Sequence, residues 1–149
     1  MTSKDKTLRQ ILNYQLRRSS VQAMVLVKHK LNAFGLRRST FAALLVIVDN
    51  PGMRQSQLAD ILFIDRPNIV KIIDTLEAAD LVKRNPVQED RRVHALKPTQ
   101  LGLARCAEAT KALIEVDEIL LKGLTHKEIE VFRKVSCVVE KNANSYFNS

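Results

Sequence analysis

Cysteine, glycine and proline are all scarce in this sequence, and no apolar stretch is long. Two cysteines, four glycines and four prolines occur in 149 residues. Cys106 and Cys137 stand far apart, with no CxxC pair and no histidine cluster beside them, so neither a zinc site nor a disulfide framework is signalled. Both are expected to be reduced and part-buried, packing as small apolar side chains; a redox switch through either one stays open as an alternative. The longest apolar run, residues 41–48, is too short to span a bilayer, and the start MTSKDKTLRQ lacks the apolar core of a secretion signal. A soluble cytoplasmic protein with no membrane partner is expected. His29, His94 and His126 are dispersed, no G-x-S-x-G, P-loop or H-E-x-x-H occurs, and the carboxylates show no pairing suited to acid–base work. The sequence thus offers no enzyme signal, no cofactor site, and no catalytic or metal-ligating residue.

What is present is a globular composition: 46% hydrophobic and 27% charged, enough for one compact domain or two intimate halves. The net charge of +8 points to a polyanionic partner. Its distribution is uneven. Residues 1–53 hold nine basic residues against two acids, residues 54–105 nine against seven, and residues 106–149 six against seven.

The four glycines, Gly35, Gly52, Gly102 and Gly123, punctuate segments of helical periodicity. Apolar positions from Leu8 through Ile11, Leu12, Leu16, Val21, Met24 and Val25 to Leu31 predict a first helix. A second covers about residues 39–48 and is stopped by Asn50-Pro51-Gly52. A short helix at 56–62 follows, then a helix with Asp65 as N-cap and Pro67 in its first turn. There Ile69, Ile72, Ile73 and Leu76 repeat at i, i+3, i+4 and i+7. That spacing buries one face and leaves Pro67, Val70, Lys71 and Asp74 opposite.

Residues 81–84 and 93–97 are short enough to be strands, and QEDRRVHAL runs through the polar link between them, so they read as a hairpin. Thr99 can cap a helix over 100–121, and Thr125 with Glu128 makes the T-x-x-E capping box of a last helix to about residue 146. The fold expected is mainly α with a small β-hairpin wing: a winged helix-turn-helix flanked by long N- and C-terminal helices. The expected divisions are 1–34, 35–98 and 99–149.

The stretch GLRRSTFAALLVIVDNPGMRQSQLADILFIDRPNIVKIIDTLEAADLVKRNPVQEDRRVHALKPTQLG, residues 35–102, resembles the MarR-type (multiple antibiotic resistance regulator) winged-helix transcription factors. Its most specific parts are Leu58-Ala59, residues 65–76, Leu81-Val82-Lys83-Arg84, and Asp90-Arg91-Arg92 followed by Thr99 and Gly102. Some positions depart from the family pattern. Asp80 stands where glycine is frequent, and it tolerates a left-handed backbone better than most residues. Pro98 replaces a leucine and is expected to end its strand early. Arg37 replaces a threonine, and Val70 a serine or threonine.

The resemblance implies a dimeric, ligand-responsive regulator, a repressor in the first reading, that binds a pseudo-palindromic double-stranded DNA operator and releases it when a small effector binds. Constitutive or architectural DNA binding, and a cysteine-based redox repressor, are the alternatives. The long terminal segments 1–34 and 99–149 would form the homodimer, with Leu113, Ile114, Val116, Leu120, Leu121, Val131, Phe132, Val135 and Val139 as apolar surface.

A hairpin tip with two arginines suits the minor groove, where negative potential favours a guanidinium. By resemblance Arg91 inserts, while Asp90 would hold a neighbouring arginine and aim the tip. On the recognition helix Arg66, Asn68 and Lys71 supply donors, Val70 can meet a thymine methyl, and Pro67 shapes the first turn. Arg66 and Lys71 could equally touch phosphate only. Ser56, Gln57, Lys83 and Arg84 are expected backbone contacts. The excess charge of the first third, in Arg17, Arg18, Lys28, Lys30, Arg37 and Arg38, suits a small anionic effector such as an aromatic acid or an aromatic acyl-CoA thioester. A basic surface that only speeds encounter with DNA explains the same charge.

Overall fold

A computed structural model describes the backbone of residues 4–87 and 90–147, and the side chains of residues 4–86 and 94–146. The chain divides into two compact units, Met1–Val116 and Asp117–Ser149. In order, the elements are a 3-10 turn Leu8–Gln10, α1 Leu12–Asn32, α2 Arg38–Asp49, β1 Met53–Arg54, α3 Gln55–Leu62, α4 Arg66–Ala78, β2 Val82–Val87, β3 Asp90–Pro98, α5 Gln100–Leu120 and α6 His126–Phe147.

The core of the first unit joins α2, α3, α4 and the sheet. Leu44, Ile47, Leu58, Ile69, Ile73, Leu76, Val82 and Leu96 are all buried to within 1% of completely. Each such side chain contributes roughly 1.5–3 kcal/mol relative to exposure. That decides the conformation of Leu44-Leu45-Val46-Ile47-Val48, whose β-branched residues lean toward strand but whose buried side recurs at helical spacing on α2.

The first expected helix is interrupted. Ile11 is extended (φ −89, ψ 117), so the 3-10 turn and α1 are separate pieces. Asp5 gathers the join: its carboxylate accepts from Arg9 Nε at 2.9 Å and from Tyr14 Oη and Arg18 Nη1 at 3.0 Å each. Of α1 only Leu31 is buried, and Leu12, Leu16, Val21, Met24 and Val25 stay exposed.

Three antiparallel strands order as β1-β3-β2. All three depart from expectation. β1 was not foreseen, because a two-residue strand pairing Met53 with Leu96 and Arg54 with Ala95 shows no alternation in sequence. Pro98 does not cut β3 short: it is the last residue of the strand, opposite Val82, where its missing N–H costs no ladder bond. β2 also runs beyond Arg84, through Pro86 to Val87, which an edge strand tolerates.

α5 is fastened to the base of this hairpin. Thr99 Oγ1 accepts from the Gly102 N–H at 2.9 Å and donates to the Asp80 carbonyl at 2.6 Å, while the Thr99 N–H donates to Leu81 O at 3.0 Å. Asp80 takes the left-handed conformation, φ +54. A Cβ on Gly102 would lie 2.0 Å from the Leu81 carbonyl oxygen, so glycine is required for this approach. Further along α5, Val116 is buried and Leu113 packs on the core, which removes both from the expected dimer surface; Ile114 and Leu120 remain exposed.

In the second unit, the Thr125 N–H and hydroxyl both reach Glu128 Oε2 at 2.7 Å and the Glu128 N–H returns to Thr125 Oγ1 at 3.3 Å, the capping box expected for α6. Val131, Phe132, Val135, Val138 and Val139 are exposed along α6.

Candidate nucleic-acid interface

α3 and α4 are joined by a turn of three residues whose chemistry is local. The α3 start is closed by Gln57, whose Oε1 accepts from the Arg54 N–H at 2.8 Å. Its end is closed by Phe63 in the left-handed region (φ 51, ψ 43), with the Ile64 N–H returning to Ala59 O at 3.0 Å. Asp65 then caps α4: Oδ1 accepts from the Asn68 N–H at 2.9 Å and Oδ2 from Asn68 Nδ2 at 2.8 Å, with Pro67 in the first turn.

α4 has two faces. Ile69, Ile73 and Leu76 are buried and Ile72 half-buried, whereas Arg66, Pro67, Asn68, Val70, Lys71 and Asp74 are exposed. The residues predicted to meet DNA on this helix therefore share one open surface. Ser56 and Gln57 are exposed on the first turn of α3, and Lys83 is exposed on β2. The side chains of Asp90, Arg91 and Arg92 lie outside those described.

Arg84 stands apart from the other expected backbone contacts. Its Nη2 lies 2.7 Å from Asp74 Oδ1, its Nη1 pairs with Glu77 Oε2, and its backbone N–H donates to Glu77 Oε1 at 2.8 Å. The side chain is thus a strut between wing and recognition helix. Neither Asp74 nor Glu77 was singled out for this, because the partners lie on different elements and no periodicity links them.

The six basic residues assigned to an effector fall in separate places. Arg37 lines a cavity of about 620 Å³ between the start of α2 and α4, together with Ser39, Thr40, Asn68, Lys71 and Thr75. Lys30 borders a second cavity, about 470 Å³, between α1 and α5, and pairs with Glu115 at 2.9 Å. That hydrogen bond from Lys30 holds the Glu115 carboxyl below the usual carboxylate range. Arg18 pairs with Asp5 and lies 5.9 Å from the centre of the Tyr14 ring. Arg17, Lys28 and Arg38 are exposed. Sequence reasoning missed Ser39, Thr40 and Thr75 as cavity lining, since isolated hydroxyls carry no pattern.

Cys106 is buried and Cys137 exposed, both free, so the expectation of burial holds for the first only. Burial pushes the Cys106 thiol up, away from the reactive thiolate. Among the described residues no group of three or more His, Cys, Asp or Glu side chains could hold a metal, and no helix is long and apolar enough to cross a membrane.

A helix-turn-helix with an exposed polar second helix, followed by a short antiparallel wing, defines a winged-helix DNA-binding protein. The model of the MarR family matches residues 34–93. A protein of Thauera aromatica assigned to transcriptional regulation of the hcr operon is 32% identical over 118 residues, 78% of this chain and 71% of the relative. The HTH-type transcriptional regulator YybA of Bacillus subtilis (strain 168) is 27% identical over 107 residues, 72% of this chain and 71% of its own length. Among solved structures, the transcriptional repressor CouR bound to a 23-mer DNA duplex superposes with a TM-score of 0.88 at 28% identity, over 94% of this chain and 99% of that one. MarR shares the fold, with a TM-score of 0.79 at 24% identity over 91% and 92% of the two chains. The chain belongs to the MarR family. It is a transcriptional regulator of that family and not an enzyme.

Proposed function

We propose that the protein is a homodimeric, ligand-responsive repressor that reads a pseudo-palindromic operator and is released by a small anionic effector. The observation that carries this reading is the position of Asn68 and Lys71. Both stand on the exposed face of α4 and both line the cavity that Arg37 borders at the start of α2. An anion held by Arg37 and Lys71 would draw on the donors that α4 offers to DNA, so occupancy of the cavity and of the groove would be coupled. Aromatic acids and aromatic acyl-CoA thioesters are the expected effectors.

The dimer is supported by the apolar rows left uncovered on α1 and α6, at Leu12, Leu16, Met24, Val131, Phe132 and Val135. In this reading residues 1–34 and 99–149 pair the protomers and residues 35–98 read DNA, in the cytoplasm. CouR, at 28% identity, is a repressor bound to a DNA duplex, which supports repression here.

The test is operator binding by the wild type and by an Arg37→Ala/Arg38→Ala double variant, on duplexes recovered from a random pool, titrated with aromatic acids and their CoA thioesters. The variant should bind DNA and resist release. Loss of DNA affinity with a normal ligand response would assign these arginines to DNA instead. Release that persists in a Cys106→Ser/Cys137→Ser variant would set aside a redox switch.

A further inference from the structure

Phe63 carries two costs at once. It closes α3 with φ +51 and ψ +43, a left-handed conformation that glycine or asparagine adopts far more readily than an aromatic residue. The residue is 82% exposed, so packing returns little for that strain. The hydrogen bond that completes the turn, Ile64 N–H to Ala59 O, is made by backbone alone and does not need the ring. Folding therefore gives no reason for phenylalanine here, and a strained residue kept without a folding reason marks function.

Its place in the fold narrows that function. Phe63 lies two residues before Asp65, the N-cap of α4, and the first turn of α4 presents Arg66, Pro67 and Asn68 to solvent. Three residues of chain reach at most about 11 Å, so the ring stands beside the end of the helix that enters the groove. Ile61 (51% exposed) in the last turn of α3 and Val70 (37%) on α4 add exposed apolar side chains near the turn.

We propose that Phe63 is a specificity-determining DNA contact that packs on thymine 5-methyl groups at the edge of the major-groove site read by α4. The inference rests on α4 being the major-groove reader. A phenyl ring has no donor or acceptor, and the electron-rich face of an aromatic ring is repelled by phosphate. The thymine methyl is the apolar group that base pairs display in the major groove, and it is sequence information. Phe63 thereby adds to the site a thymine requirement that the polar residues of α4 cannot express.

The experiment uses the full chain. A preferred duplex is selected from a random pool, and each dT in it is replaced singly by dU, which removes only the methyl. The wild type should lose about three- to tenfold in affinity at one or two symmetry-related positions, the effect of one or two buried methyl groups. Phe63→Gly and Phe63→Asn, which both suit the left-handed backbone, should bind the selected duplex that much more weakly, bind random DNA as before, and no longer distinguish dT from dU at those positions, while any dT preference that comes from Val70 elsewhere in the site persists. A wild type indifferent to every dU, variants that keep the dT preference at every position where the wild type shows it, or equal losses on selected and random DNA would each overturn the assignment of Phe63. Failure of the wild type to select any sequence would instead overturn the major-groove reading, and this inference with it.

Discussion

Nη2 of Arg84 stands 2.7 Å from Oδ1 of Asp74, so the first strand of the wing is held to the recognition helix by a charged contact between side chains ten positions apart in sequence. Glu77 completes the clamp by accepting from both the guanidinium and the backbone N–H of Arg84. Arg84→Ala should lower the free energy of unfolding by about 1–3 kcal/mol, because the part-buried Glu77 loses its charged partner. Arg84→Lys should recover little, since an ammonium cannot span two carboxylates as a planar fork does. Urea titrations of the three proteins check this; an alanine variant as stable as the parent would show that the clamp is idle.

Gly102→Ala should be among the most damaging single-methyl changes in the chain. The added Cβ meets the Leu81 carbonyl oxygen, a backbone atom that cannot rotate away. Relief requires α5 to lift from the hairpin, and overpacking of this kind costs about 1–3 kcal/mol or more. A thermal melt within a degree of the wild type would contradict the close approach.

Asp65→Ala should cost about 1 kcal/mol through loss of the N-cap. It also frees Asn68 Nδ2 from its 2.8 Å bond to the carboxylate. Amide hydrogen exchange should quicken at Asn68 and the neighbouring first-turn positions of α4 while α2 is unaffected. Uniform exchange across α2 and α4 would mean that the cap does not act locally.

Glu128 gives a pH dependence whose sign is fixed. Hydrogen bonds from the Thr125 N–H and then the Thr125 hydroxyl hold its carboxyl below the usual glutamate value. Since the folded value is the lower one, the capping interaction is complete above the ordinary glutamate range and fades as pH falls through the folded value. An NMR titration of the Glu128 side-chain carboxyl should show a midpoint below the ordinary glutamate value, and Glu128→Gln should remove the acid-induced fraying at the start of α6. A midpoint at or above the ordinary glutamate value would refute it.

The parts of the fold legible in sequence are those whose causes are local. Asp65, Thr99 and Thr125 act on N–H groups three residues away, and each caps its helix as its spacing suggested. The buried face of α4 was legible for the same reason, because Ile69, Ile73 and Leu76 repeat with the helix. Asp80 also adopts the left-handed turn expected of it. What escaped was set by contacts between elements. Arg84 looks like a free cation until Asp74 and Glu77 are placed beside it, and Val116 looks like surface until the core closes over it. The basic residues of the first third are close in sequence, yet a helix as long as α1 spreads them, so Arg18 and Lys30 meet acids in different parts of the unit.

The fastening of Thr99 and Gly102 to Asp80 and Leu81 has a consequence for how the hairpin can vary. Antiparallel pairs from Val82↔Pro98 to Pro86↔His94 keep one register above that junction, and the irregularity falls beyond it, between Pro86 and Val87. Residues inserted past Pro86 change the reach of the arm without shifting any pair nearer the junction. A single residue inserted between Leu96 and Gly102 would instead rotate α5 by about 100° relative to the hairpin. Arm length is therefore a freely adjustable dimension of this molecule, and the pitch of the helix that follows it is not.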